Sequence, residues 1–93
     1  MPGGCPECYQ ALEELVQEVR KMATKDPFVS KVAGKMEVEL QAAIAEAKKD
    51  RQDLKLILTK LNGAKTFIEG VASARGLQNN FAETITFVKS HLP

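Results

Sequence analysis

The sequence predicts an all-α fold, an antiparallel four-helix bundle. Three observations carry that prediction. Apolar residues keep phase over a long stretch: one row runs Val29, Met36, Ala43, Ile57, Ala64, Val71, broken only by Asp50, and a second runs Ala33, Leu40, Ala47, Leu54, Leu61, Ile68. These steps of three and four keep one face of a helix apolar. Helix-starting and helix-ending residues divide the chain into four amphipathic segments with short connections, the pattern of an up-down-up-down bundle. The composition is that of an ordinary globular chain, 44% hydrophobic and 27% charged over 93 residues, and reads as one domain. A domain of this size hides roughly 60–65% of the surface of its unfolded chain. The core is therefore modest, and self-association is a way to enlarge it.

The first helix is expected over 6–23. Gly3-Gly4 precede it, leaving residues 1–4 as a flexible lead, and Pro6 suits a first helical position, where its missing N–H has no partner anyway. Cys8, Leu12, Leu15, Val16, Val19 and Met22 share one face, while Glu7 at the start and Arg20-Lys21 at the end complement the helix dipole. The second helix, 27–49, opens on Asp26 as cap and Pro27 in the first turn.

The stretch from Glu46 to Lys55 holds no Gly or Pro. Either the chain turns between Asp50 and Asp53, with one of these capping a third helix over 53–75, or the second and third helices fuse into one coiled-coil rod of roughly 70 Å. Helices of that length are rare outside coiled coils, and Gly34, Gly63 and Gly70 weaken the rod. Gly76 reads as a left-handed C-cap with Leu77 folding back. A fourth helix, 80–92, follows from Asn80 with Glu83 in a capping-box pattern, its apolar face being Phe81, Ile85, Val88 and Leu92. Phe28, Phe67, Phe81 and Phe87 are the expected bulky core members.

Several function classes are disfavoured. A net charge of +1 supplies no global field for nucleic acid or an anionic membrane, and one Tyr with no Trp leaves few platforms for bases. No 18-residue apolar run encodes a transmembrane helix. The amino-terminal Met-Pro-Gly-Gly-Cys-Pro-Glu-Cys lacks the regions of a signal peptide, so a cytoplasmic location is expected. There is no phosphate loop and no nucleophile motif, and the glutamates form no Glu-x-x-His pairs for a di-iron bundle. Charge is uneven: residues 1–46 carry eight acidic and five basic side chains, residues 47–93 four and eight.

Cys5-Pro6-Glu7-Cys8 is the one constellation with evident chemistry. Two thiols at a helix start favour thiolate. Zinc needs four ligands, so Cys5 and Cys8 fill a site only across a dimer. Disulfide exchange and inter-chain linkage are the other readings, and Cys8 as a plain member of the apolar stripe is the simplest. The spelling is similar to the zinc hook of the coiled-coil DNA-repair ATPases, a resemblance of four residues that implies inter-chain zinc. His91, the only histidine, is expected on the surface near a helix end.

The expected function is a non-enzymatic helical interaction module binding a protein partner or itself. Gly63, Gly70 and Ala74 would form a strip of close approach, with Lys55 contributing to a basic third helix that favours an acidic partner. The alternatives are a thiol protein using Cys5 and Cys8, and a carrier of small apolar ligands in the bundle interior.

Overall fold

The computed structural model describes residues 6–91. Residues 1–4, Cys5 and Leu92 lie outside that range, so the expectations that fall on them are not addressed by it. Four α-helices follow one another: α1 Pro6–Ala23, α2 Pro27–Ala47, α3 Leu54–Thr66 and α4 Arg75–His91, the last preceded by a short 3-10 turn, Ala72–Ala74. Each helix packs on the next and α4 returns against α1, closing a bundle around one core. Cross-helix pairs show the antiparallel order. Arg20 meets Glu37 while Lys48 meets Glu13, and Lys60 meets Glu39. The longest dimension is 43 Å.

The helix boundary near Asp50 is a turn, and the fused rod does not form. Both apolar rows are shared between α2, α3 and the turn that follows α3, which holds Ile68 and Val71. Val29, Ala33, Met36, Leu40, Ala43, Ala47, Ile57, Leu61, Ala64 and Ile68 are buried, whereas Asp50 stands in the turn in solvent. Asp53 caps α3, its carboxylate accepting the Leu56 amide at 3.2 Å. The turn is held by Glu46, which is buried. Its carboxylate accepts the Asp53 amide at 2.9 Å and pairs with Lys49 Nζ at 2.9 Å.

Asp26 does the corresponding work at the other end of α2. It accepts the Phe28 and Val29 amides at 2.9 and 3.4 Å, and the Ser73 hydroxyl donates to its second oxygen. One buried carboxylate thus caps α2 and ties it to the segment before α4. The Ser73 hydroxyl, followed by the two amides, holds the Asp26 carboxyl below its ordinary 3.8 despite the opposing effect of burial. Lys49 and the Asp53 amide hold Glu46 below its ordinary 4.5. Both folded values are depressed. The stability they contribute is therefore complete above the ordinary values and lost as pH falls through 4.5 and 3.8 toward the folded ones. Thermal melts are expected to show a midpoint falling steadily below about pH 4.5. In Ser73→Ala the Asp26 carboxyl, followed by NMR, should titrate at higher pH than in the parent. An unchanged midpoint would remove the serine from the account.

Two boundaries differ from expectation. The third helix ends at Thr66, not at 75, and the fourth begins at Arg75, not at 80. After Thr66 the chain tightens into three-residue turns, Phe67 N–H to Ala64 and Ile68 N–H to Lys65, and then reverses at Gly70, the one described glycine with positive φ, +82°. The Gln78 side-chain amide crosses back to the Val71 carbonyl at 3.2 Å and also donates to that of Ile68. Gly76 is no C-cap. It lies in the first turn of α4, because Leu77, Phe81 and Val88 form one buried face that needs the helix to start before residue 77. Asn80 is inside α4, where its carbonyl accepts the Thr84 hydroxyl at 2.8 Å, so the capping box does not form.

Of the four phenylalanines, only Phe81 is fully buried. Phe28 is 61% exposed at the first turn of α2 beside Lys31, Phe67 is 37% exposed at the end of α3, and Phe87 is half-buried. Cys8, Leu12, Leu15, Val16 and Val19 are buried from α1, as the stripe requires.

Candidate functional site

The residues expected to form an interaction strip do not come together. Gly63 lies on α3 facing α2, where a Cβ would stand 3.4 Å from the Glu39 carboxylate. Gly70 is in the reversal after α3, and Ala74 is fully buried in the 3-10 turn. Lys55 is exposed at the start of α3. Close approach at Gly63 thus serves a packed carboxylate, not a docking groove. The basic character of α3 is partly neutralised within the chain, since Lys60 lies 3.7 Å from Glu39.

Cys8 occupies the first turn of α1, fully buried, and its sulfur is disulfide-bonded. Zinc binding requires thiolates, hence the reduced state. Among the described residues no three His, Cys, Asp or Glu side chains form a group able to hold a metal ion. His91 is exposed, with its ring stacked on Phe87 at 3.9 Å and Nδ1 at 2.9 Å from the Phe87 carbonyl. No described hydroxyl or carboxylate is positioned against it as a catalytic partner.

The seam between α1 and α4 is different. It opens into a surface groove of about 620 Å³. Its origin lies in short side chains: Ala11 on α1 and Thr84 on α4 line it, and neither fills the space between the helix axes. The Thr84 hydroxyl is turned onto its own helix. Leu15 and Phe87 complete an apolar floor.

Carboxylates flank that floor. Glu7, Glu14 and Glu18 fall along one edge of α1 at steps of seven and four, next to the buried face of Cys8, Leu12, Leu15 and Val19, and Glu83 stands opposite on α4. No Lys or Arg among the described residues lines the groove. Lys21 approaches only its end, 3.8 Å from Glu18. Three glutamates elsewhere in the bundle are paired across helices: Glu13 with Lys48 at 3.9 Å, Glu37 with Arg20 at 2.9 Å and Glu39 with Lys60 at 3.7 Å. Glu14 and Glu83 have no ion pair among the described residues. Ion pairs thus link α1 to α2 and α2 to α3, whereas Glu14 and Glu83 stand beside apolar surface at the α1–α4 seam.

The sequence carries a signal for this edge in the spacing of Glu7, Glu14 and Glu18, which marks a side of α1 adjoining its apolar face. Considering the glutamates only as metal ligands overlooks it. The α4 half has no such signal.

No protein-family model, curated protein or solved structure matches this chain.

Proposed function

We propose that this chain is a non-enzymatic helical interaction module that docks a protein partner in the α1–α4 groove. The observation that carries the reading is an open apolar floor, Ala11, Leu15 and Phe87, flanked by Glu14 on α1 and Glu83 on α4, neither of which has an ion pair among the described residues. Packed bundles bury such a seam unless another element covers it, and a helix laid into a groove between two helices is a common mode of protein recognition. The groove is open along its length rather than enclosed, which suits a macromolecular occupant better than a small molecule held in the interior.

Single-site photo-crosslinking in cells that produce the protein tests this. A crosslinking amino acid at Gln10, Glu14 or Thr84 should capture a partner, and the same group at Thr59 on the exposed side of α3 should not.

A further inference from the structure

We infer that the partner in the groove is a second copy of this chain, which presents the outer face of its α2–α3 seam, and that the copies therefore add head to tail. The inference rests on the docking reading above and names its occupant.

The large apolar side chains that stand exposed among the described residues are all on one side of the bundle. Phe28 and Val38 are on α2, Leu56 is on α3 and Phe67 is at its end. Spacing gathers them at one seam. On α3, Lys60 pairs with Glu39 of α2, and a Cβ on Gly63 would meet the same carboxylate. That edge of α3 faces α2, and it continues through Leu56, four residues before Lys60, and Phe67, four after Gly63. The matching edge of α2 runs through Phe28, Lys35 and Ala42, with Lys35 four residues before Glu39. Lys31 and Val38, exposed and seven apart, lie beside it.

This face complements the groove. It is apolar and basic: Lys31 and Lys35 have no ion pair among the described residues, while Glu39 is taken by Lys60. The groove is apolar and acidic, through Glu14 and Glu83. Setting one on the other places Phe28 and Val38 against the floor of Ala11, Leu15 and Phe87 and brings the two lysines among the two carboxylates. Pairing like with like does not: two α2–α3 faces set lysines against lysines, and two grooves set carboxylates against carboxylates. The bundle measures 43 × 19 × 17 Å, so a long side is on the scale of the roughly 800 Å² that each partner of a stable interface buries.

The geometry of the bundle then fixes how copies assemble. Each helix packs on two neighbours in a ring, α1 on α2, α2 on α3, α3 on α4 and α4 on α1, so the α2–α3 seam lies opposite the α1–α4 seam. A copy docked through one face leaves its other face open to the next. Such an interface is heterologous and does not close into a dimer.

Sedimentation velocity of the full chain at rising protein concentration tests this, together with two double variants. Lys31→Glu with Lys35→Glu makes the α2–α3 face acidic, and Glu14→Lys with Glu83→Lys makes the groove basic. All of these positions are exposed. The unaltered protein should grow past the dimer as concentration rises, and high salt should weaken the association by about threefold or more through screening. Each double variant alone should associate about tenfold more weakly, because it opposes like charges. An equimolar mixture of the two should recover association, since the lysines of one then meet the glutamates of the other, and recovery shows that both remain folded. A closed dimer that no further copy joins, or a mixture as weak as its components, overturns the inference. So does a protein that is monomeric at every concentration. In that case, crosslinked capture of a different protein from Gln10, Glu14 or Thr84 leaves the groove reading standing, and no capture removes both.

Discussion

Replacing Phe81 by Ala is expected to cost about 3–5 kcal/mol of stability, while Phe28→Ala changes it by no more than about 0.5 kcal/mol. Both are phenylalanines at helical spacing with other apolar residues, and sequence pattern gives them equal weight. The structure does not. Phe81 has no exposed surface and belongs to the single core, together with Leu12, Leu40, Leu61 and Ile68, whereas Phe28 is 61% exposed, with Lys31 Nζ 5.9 Å from its ring centroid. Deleting a buried ring removes its transfer free energy and leaves a cavity that the surrounding helices fill only in part. Against a total stability of about 5–15 kcal/mol, Phe81→Ala is the most damaging of the changes considered, lowering the melting midpoint by more than about 12 °C. Urea and thermal unfolding of the two variants measure the difference. Equal losses would mean that α4 does not pack as described.

Two glycines should respond with opposite sign. Gly70→Ala is expected to destabilise by about 1–2 kcal/mol, because φ at this position is +82° and an alanine Cβ is strained there even though nothing lies within 4 Å. Gly76→Ala should stabilise by up to about 1 kcal/mol. Its backbone is helical, no neighbour stands within 4 Å of a Cβ, and alanine restricts the unfolded chain more than glycine does. The sequence suggests the reverse assignment, in which Gly76 terminates the third helix. Thermal midpoints of both variants decide between the two descriptions. A loss at Gly76 and no loss at Gly70 would restore the longer third helix.

The inversion shows where local reading stops. The starts of α1, α2 and α3 are written in a few adjacent residues, Pro6, Asp26-Pro27 and Asp53, and the buried faces follow from periodicity alone. Each of these concerns interactions within one turn or one helix face. The boundary between α3 and α4 is decided by partners distant along the chain. Asp26 and Ser73 are 47 residues apart, and Gln78 reaches back to Val71 and Ile68. No short pattern encodes such pairs, whereas Leu77 and Phe81 do signal an earlier helix start once read as one face. Glu46 was equally hidden, since a glutamate near a helix end looks solvated until the turn folds over it. The groove depends on which edges of α1 and α4 meet. One half of it, the spacing of Glu7, Glu14 and Glu18, is visible in the sequence. The other half, Thr84 and Phe87, becomes part of a site only through packing. The expected strip of Gly63, Gly70 and Ala74 failed for the same reason. Seven-residue spacing places residues on one face only if the helix continues through them, and it ends at Thr66.

The central claim is that the α1–α4 seam is the docking face, and the crosslinking map tests it most directly. Adducts to a partner should form from Gln10, Glu14 and Thr84, those from Gln10 and Thr84 should disappear when Glu14 and Glu83 are both changed to Lys, and none should form from Thr59. Thermal melts of the doubly changed protein would show that it remains folded, since both positions are exposed. Capture from Thr59 with silence at all three groove positions would contradict the claim.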